Sequence, residues 1–480
     1  MGDLLDDLRA IVGTAHVLAE GDLSAYERDW RKRYHGRCRA VVLPAGTDEV
    51  AAVVRRCAQA RGAGEAVSLV PQGGNTGLVG GGVPDESGTQ IVLGLRRMHA
   101  VRRIDPANLT ITVEAGSVLQ DVQGAAADAG LLFPLSLAAE GSCTIGGNLC
   151  TNAGGTQVLR FGNARELCLG LEVVTAQGEV WSRLGGLRKD NTGYDLRDLF
   201  VGSEGTLGIV TAATLRLFPR PRAVVTGWAA CATLAQAVTL MRRLRAAFDA
   251  ELVGFEAMNA EALALVRRHF PQLAQPLSDA AGGSAPWSAL FELASPHDEA
   301  TLRAGAEAAL GEAAAAGEIA DAVLAHSEAQ ARVLWHLREA IPLAQGAEGL
   351  NIKHDVGVPL SALADFVATA DAALAAVAPG ARHITFGHLG DGNLHYNLQA
   401  PEGVDAGAFL RAFEHAVNAC VYDVVDRFGG TFSAEHGIGR LKRHELVARR
   451  PAAGMALMRA LKQALDPLGL LNPGVLLPDP

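Results

Sequence analysis

Four residues near the C-terminus can do chemistry together. His388 and His395 stand seven apart, and Glu435 is followed directly by His436. Two imidazoles and one carboxylate make the coordination shell of a divalent metal with positions left open, and the adjacent His436 is then available to move a proton. Ile384 to His388 and Leu394 to Leu398 read as two short strands joined by the turn Gly390, Asp391, Gly392, Asn393. In such a hairpin the two histidines sit nearly opposite each other, where side chains about 5 Å apart share an ion. Glu435 must arrive from a third segment, Thr431 to Gly439. Two histidines at this spacing alone are more often ordinary residues of a half-buried hairpin. The turn glycines, the paired strands and the Glu–His pair favour a metal-assisted active site.

Glycine makes up 55 of the 480 residues, and it clusters. Pro71, Gln72, Gly73, Gly74, Asn75, Thr76, Gly77, Leu78, Gly80 and Gly81 follow the apolar stretch Ala66 to Val70 and lead to Pro84. Without Cβ atoms, successive backbone N–H groups can close around a phosphate, and positive φ costs nothing. A diphosphate cradle is therefore expected. A linker would be monotonous in Ser and Gly, whereas this segment interleaves Pro, Asn, Thr, Leu and Val. A second cluster carries Ser142, Thr144, Gly146, Gly147, Asn148, Thr151, Asn152, Gly154 and Gly155, small polar residues suited to packing along an extended cofactor. A third, Lys189 to Leu196, leads into Gly202 to Ile209. No G-x-G-x-x-G fingerprint occurs, so a nicotinamide-type Rossmann site is not expected.

The positioning elements need more than one core, because 480 residues exceed what a single hydrophobic core serves. A hydrophobic share of 49% and a charged share of 20% describe a soluble globular chain. Its net charge of −10 argues against a nucleic-acid binder, so an anionic substrate must meet local cations. The seven cysteines (38, 57, 143, 150, 168, 231 and 420) are scattered with no C-x-x-C pair, the pattern of reduced thiols. The acidic N-terminus lacks the layout of a secretory signal, and no apolar run approaches the ~18 residues of a membrane span. A cytoplasmic protein without a transmembrane segment is expected. Thr47, Asp48 and Glu49 before Val50, Val53, Val54 and Cys57 predict a capped amphipathic helix. Leu109 to Val113 reads as a strand, Val118 to Ala129 as a helix, and Leu169 to Trp181 as a hairpin around Gln177 and Gly178. Beyond Ala223, helices such as Asp298 to Ala315 and Ser327 to Gln345 alternate with strands such as Trp287 to Leu293.

Pro71 to Pro84, Gly146 to Gly155, Lys189 to Leu196 and Gly202 to Ile209 closely resemble the FAD-binding half of the vanillyl-alcohol-oxidase flavoproteins. The two C-terminal motifs, with Asn472, Pro473 and Gly474, narrow the resemblance to the branch containing D-2-hydroxyglutarate dehydrogenase, D-lactate dehydrogenase and the glycolate oxidase flavin subunit. The resemblance runs from about Arg39 to the end. It implies an α+β fold: an N-terminal helical segment (1–38), a two-subdomain FAD-binding domain (39–219), a substrate cap with an antiparallel sheet (220–450) and a C-terminal return to the FAD domain (451–480). It also implies cofactor contacts from the glycine-cluster residues named above and from Gly162, Glu204, Gly205, Gly208, Ile209 and Asn472. The lysine expected after Gly474 is Val475 here. FAD is expected to be non-covalent, because the Pro71 to Pro84 loop has neither His nor Cys, and Cys143 and Cys150 read as small apolar packing groups.

For the substrate, the resemblance implies carboxylate binding by Arg338 with Lys353, and a contact from Asn397. An arginine fork suits a bidentate carboxylate, and lysine adds a point charge. Pro342 stands where the hydroxyglutarate enzymes often carry a threonine contact. Zn²⁺ or Mn²⁺ on His388, His395 and Glu435 would lower the hydroxyl pKa, with His436 as the base. His336 and His354 read as packing or hydrogen-bonding residues and His383 as a strand start, while Arg440 to Arg443 reads either as an attractor of an anionic substrate or partner or as a solvated charged turn, and is left out of the site. The implied function is an FAD- and metal-dependent dehydrogenase oxidising a D-2-hydroxy acid to the 2-oxo acid, D-2-hydroxyglutarate ahead of D-lactate. Alternatives are the flavin subunit of a glycolate-oxidising complex and a non-redox enzyme like the alkyl-glycerone-phosphate synthases. Electrons would leave to a separate partner: an electron-transfer flavoprotein, a cytochrome or a quinone-linked protein. A homodimer is left open.

Overall fold

A computed structural model describes residues 3–273, 276–277 and 285–478. Met1, Gly2, Asp479 and Pro480, which belong to the expected terminal segments, lie outside the described residues. The chain forms two compact units. Met1–Gly154, Gly162–Arg220 and Glu435–Pro480 make the first, and Gly155–Phe161 with Pro221–Ala434 make the second. Two segments differ from the sequence expectation. The return begins at Glu435 and not at 451, and the N-terminal segment is built into the first unit. There the helix Leu4–Val12 buries Leu4, Leu8 and Val12, and Val17–Leu18 pairs with Ala40–Val42.

Among its described residues the first unit holds two larger sheets and a two-stranded one, Leu131–Leu132 with Phe218–Pro219. In one of the larger sheets, Ala40–Val42, Gln90–Gly94 and Ser68–Gln72 run parallel. Apart from the half-buried Pro71 they are buried throughout, as strands covered on both faces must be. The other is antiparallel, in the order Val101–Asp105, Thr110–Glu114, Ile209–Arg216, Cys168–Val174, Val180–Arg183. The helix Thr47–Gly62 buries Val50, Val53, Val54 and Cys57, but its N-cap is Gly46 and makes no side-chain cap bond. Thr47 turns away to Glu172, 2.6 Å from its Oε1.

The second unit is built on strands β1 (Ala223–Cys231), β2 (Leu252–Asn259), β3 (Trp287–Ser295), β4 (Asp321–Leu324), β5 (Asn351–Ile352), β6 (Asp355–Gly357), β7 (Arg382–Gly387) and β8 (Asn393–Gln399). Their order is β4-β1-β3-β2-β7-β8-β5, with β6 also on β8, and every pairing is antiparallel. The helices are α1 (Leu234–Phe248), α2 (Ala260–His269), α3 (Glu299–Ala315), α4 (Glu328–Glu348), α5 (Leu363–Val377) and α6 (Ala406–Arg427). Ser327 caps α4 and Asp298 caps α3 through their side chains. Alternate sheet residues Trp228, Met258, Leu290, Ile384 and Phe386 form one core with Leu263 and Val266 of α2 and Leu334, Leu337 and Ile341 of α4. Phe255 and Phe291, on the intervening positions, stack with centroids 6.4 Å apart. One apolar run does reach span length, contrary to the sequence expectation: Leu360–Val377 covers 18 residues at mean hydropathy 1.6. It contains α5, which packs on α6 and buries Leu363, Phe366, Val367, Ala370 and Leu374.

The hairpin β7–β8 carries both histidines. Its register sets His395 opposite Phe386, so His388 lies beyond the last paired residue, in the turn, and not across the ladder from His395. Gly387 makes this turn possible, with φ at 151°. A Cβ there would stand 2.7 Å from the Asn393 carbonyl oxygen and 3.0 Å from the Leu394 Cα. Both obstacles are backbone, so neither can swing away. Gly387→Ala is therefore expected to destabilise the protein by about 1–3 kcal/mol. The measurement is a thermal melt followed by circular dichroism, and an unchanged midpoint would contradict this account of the turn.

Candidate functional site

Helix α4 meets the sheet with a polar side chain in successive turns. Trp335 Nε1 donates to Glu292 Oε2 on β3 at 2.8 Å, and Arg338 Nε donates to Glu256 Oε2 on β2 at 2.6 Å. Two turns further on, Gln345 Oε1 accepts from Asn397 Nδ2 on β8 at 3.0 Å. The spacing follows from the helix: residues 335, 338 and 345 share one face, as do alternate residues on each strand.

Glu256 is fully buried and has a partner on each oxygen. Arg338 occupies Oε2, and His388 Nδ1 lies 2.5 Å from Oε1. Burial pushes the carboxyl up, but the charges of Arg338 and His388 outweigh it and hold the group down to about 2. In the neutral ring, Nδ1–H donates to Glu256 and Nε2 carries the lone pair. The His388 ring stands 5.6 Å from that of His395, nearly perpendicular to it. Arg338 also lies over the face of Phe386, 5.0 Å from its centroid. Among the described residues, no side chain bonds its two terminal guanidinium nitrogens.

The other ligands come from β6 and the segment that follows α6. Asp355 pairs with His395 across the sheet, and its Oδ1 accepts from Asn393 Nδ2 at 2.9 Å. Thr431 and Ser433 bridge to Gly357 and Asp355, and the Ala434 N–H reaches the Asp355 carbonyl at 3.3 Å. Glu435 and His436 are the next two residues, so this local pinning determines where they begin. Asp355, His395, Glu435 and His436 each offer an atom within 4.8 Å of the others. The His395 imidazole and the Asp355 and Glu435 carboxylates are nitrogen and oxygen donors that suit Zn²⁺ or Mn²⁺, and His436 stands beside them as a group able to take a proton. A ligating histidine usually donates its other ring N–H to a carboxylate, as His388 does to Glu256, so His388 beside His395 fits the same site.

Of the residues expected from sequence, His395, Glu435 and His436 converge. His388 stands beside His395, but it is not among the four whose atoms fall within that distance. Lys353 is half-buried between β5 and β6. Asn397 is buried with both ends of its amide engaged: Oδ1 accepts from the His354 N–H at 3.0 Å and Nδ2 donates to Gln345. His354 and His383 are packing residues, the first held between the Tyr396 carbonyl and Asn418, the second by Tyr396 and Asp371. Arg440 to Arg443 is not a solvated turn. Lys442 is buried, the Arg440 N–H bonds the Val79 carbonyl, and Arg443 bonds the Gly474 carbonyl. Sequence reasoning missed Glu256 and Asp355. Each had a signal: Glu256 is a lone charge in the apolar strand Leu252–Asn259, and Asp355 lies two residues from Lys353.

The first unit contains the glycine clusters. A Cβ on Gly73 would lie 2.2 Å from Thr144 Oγ1, and one on Gly74 would lie 1.9 Å from the Ser142 carbonyl, so the two clusters pack closely, backbone against backbone at Gly74. Eight described non-glycine residues have positive φ, and four of them are Asn75, Asn152, Glu204 and Asn472, all expected cofactor residues. Left-handed backbone concentrates where function demands it. Asn472 Nδ2 donates to the carbonyls of Gly81 (2.9 Å) and Glu204 (2.8 Å), joining the first cluster to the Gly202–Ile209 turn. Glu204 accepts the N–H groups of Ile438 and Gly439 at 2.8 and 2.7 Å; burial pushes its carboxyl up against these bonds. Thr144 Oγ1 and Asn472 Oδ1 are buried without a partner. Orphaned polar atoms beside glycine-lined backbone are what an extended polar cofactor would satisfy, so the residues fit FAD.

Comparison with known proteins gives the same answer. Residues 38–182 match the FAD binding domain family, and residues 220–476 match the C-terminal domain of FAD linked oxidases. The chain is 41% identical to D-2-hydroxyglutarate dehydrogenase of Xanthomonas citri pv. viticola, over 95% of this chain and 92% of that one. It is 38% identical to the mitochondrial D-2-hydroxyglutarate dehydrogenase of Bos taurus, over 96% and 84%. Among solved structures, p-cresol methylhydroxylase with substrate bound superposes with a TM-score of 0.72 at 17% identity, covering 98% of this chain and 95% of that one. Alkyldihydroxyacetonephosphate synthase gives 0.69 at 16%, covering 98% and 84%. These two likenesses establish the α+β fold of the p-cresol methylhydroxylase type. The motifs, the cradle and the full-length relatives together place this chain in the family of FAD-linked oxidases that includes the D-2-hydroxyglutarate dehydrogenases.

Proposed function

We propose that this protein oxidises a D-2-hydroxy acid to the 2-oxo acid, with D-2-hydroxyglutarate as the first-choice substrate, and hands the electrons to a separate acceptor protein. The observation that carries the reading is the convergence of Asp355, His395, Glu435 and His436, with Arg338 held by Glu256 on the sheet that bears His395. The substrate class is supported by relatives at 38% and 41% identity that are D-2-hydroxyglutarate dehydrogenases.

When bound, FAD supplies the acceptor for the hydride at Cα, and a divalent ion on His388, His395 and Glu435 supplies the charge that lowers the hydroxyl pKa. The chain's own residues do the rest. Arg338 offers its terminal nitrogens to a carboxylate in fork geometry, and Lys353 adds a point charge. His436 accepts the hydroxyl proton. Its neighbour Glu435 is 3.6 Å away, from Oε1 to the imidazole Nε2, close enough to stabilise the imidazolium that forms. Pro342 lies inside α4 and has no N–H for the Arg338 carbonyl, so the helix ladder is broken at the residue that bears the guanidinium. A proline beside Arg338 offers a substrate no hydroxyl, and this favours D-lactate as the second reading.

FAD is held without a covalent bond. Burial pushes the Cys150 thiol up to about 12 and also raises that of Cys143, so neither is a thiolate at neutral pH. Acid precipitation should leave the flavin in the supernatant; yellow colour in the washed pellet would contradict this.

Anaerobic mixing with D-2-hydroxyglutarate is expected to bleach the flavin band, and prior chelation should abolish the bleaching. D-lactate bleaching the flavin faster would favour the second reading, and no bleaching by any D- or L-2-hydroxy acid would refute the function. His436→Asn should slow flavin reduction by about 10²–10⁴-fold while the flavin spectrum and metal content stay as in the wild type.

A further inference from the structure

Two groups of the proposed site that come from separate elements, Arg338 on α4 and His388 after β7, bond the same carboxylate. Glu256 stands in the middle of β2, fully buried, with Ala257 and Met258 paired to Gly387 and Phe386. Its two oxygens point different ways, one to each partner, at 2.6 and 2.5 Å. We infer that Glu256 is a positioning residue that sets both ends of the substrate site, turning the terminal nitrogens of Arg338 outward and fixing His388 with its Nε2 lone pair toward the ligand cluster. This rests on the dehydrogenase reading above and deepens it.

The chemistry requires a carboxylate and not merely an acceptor. Arg338 Nε–H and His388 Nδ1–H are both donors, so the bridging group must accept on two sides at once. A glutamine of the same shape has one acceptor and one donor end, and one of the two bonds must break whichever way the amide turns. An aspartate keeps two acceptors but is one methylene shorter. Loss of the His388 bond frees the ring to rotate and change tautomer, which loosens metal ligation, and loss of the Arg338 bond frees the guanidinium that meets the substrate carboxylate.

The test uses the purified flavoprotein with Glu256→Gln, Glu256→Asp and, as a control, Glu292→Gln, which alters another carboxylate on the same sheet. Zinc retention is measured by competition with a chromophoric chelator, and D-2-hydroxyglutarate dependence by stopped-flow flavin reduction. Flavin absorbance and thermal melting report folding. Glu256→Gln should lower zinc affinity about 10–100-fold and raise the half-saturating substrate concentration at least about tenfold, with Glu256→Asp recovering part of both. Glu292→Gln should match the wild type in both readouts. A folded Glu256→Gln protein that keeps wild-type zinc affinity and half-saturation overturns the positioning role and leaves the dehydrogenase reading intact. So does equal damage from Glu292→Gln, because the effect would then be general to the sheet. If Glu256→Gln does not fold, Glu256→Asp decides on the same two readouts. A wild-type protein that binds zinc but is reduced by no 2-hydroxy acid sinks the dehydrogenase reading, and zinc retention alone then judges Glu256. A wild type that binds no zinc and is reduced by no acid sinks both.

Discussion

A carboxylate inside an apolar sheet must be neutralised where it stands, because burying an uncompensated charge costs several kcal/mol or more. Glu256 meets that constraint with Arg338 on one oxygen and His388 on the other, and the surrounding structure follows from it. Helix α4 is held in register by Arg338. The β7–β8 turn is held by His388, with Gly387 allowing the backbone to bend there. Removing Arg338 would leave Glu256 a buried charge, and removing Glu256 would leave Arg338 one, so these two are kept or lost together. A core of aliphatic residues in the same space would be at least as stable, so the ionic cluster argues for function.

The contrast with Glu292 sharpens the point. Both glutamates interrupt apolar strands and both bond a side chain of α4, one turn apart. Glu292 finds only neutral donors, Trp335 and Thr226; burial raises its carboxyl and the two hydrogen bonds only partly offset that. Glu256 finds the Arg338 guanidinium and the His388 imidazole N–H and stays ionised. Two like residues are thus pushed in opposite directions by what the helix presents to them, which is how one sheet face can hold a structural acid and a charged anchor side by side.

Much of this was legible in the sequence. The glycine clusters, the C-terminal histidines and the Glu435–His436 pair are local motifs, and local motifs survive being read one segment at a time. The hairpins around Gly178 and at β7–β8 were equally readable from turn residues and alternation. What escaped depends on long-range pairing. Nothing near Glu256 in the chain says that Arg338 and His388 will reach it, and nothing near Asp355 says that Ser433 will pin beside it. The placement of His388 past the end of the ladder was missed for a related reason: a one-position change in register moves a side chain from across the strand into the turn, and the turn glycines permit either. The solvated-turn reading of the Arg440–Arg443 run fails because charge density predicts solvent exposure, whereas here Lys442 is buried, the Arg443 guanidinium bonds the Gly474 carbonyl and that of Arg440 bonds the Gln90 amide oxygen.

Charge balance bears on the divalent ion proposed for this site. Glu256, Asp355 and Glu435 bring three carboxylates against the two cations Arg338 and Lys353, leaving one net negative charge in a protein whose overall charge is −10. An acidic substrate would be repelled by that set. The divalent ion proposed above would reverse the sign, admitting the acid as well as helping its hydroxyl to lose a proton. The count also separates the two leading substrates. With the ion in place the set carries one net positive charge, which a monoanion such as D-lactate neutralises and a dianion such as D-2-hydroxyglutarate exceeds by one. A dianion must therefore find its last compensation outside these residues, and with Pro342 beside Arg338 that compensation does not come from a hydroxyl on the next turn of α4.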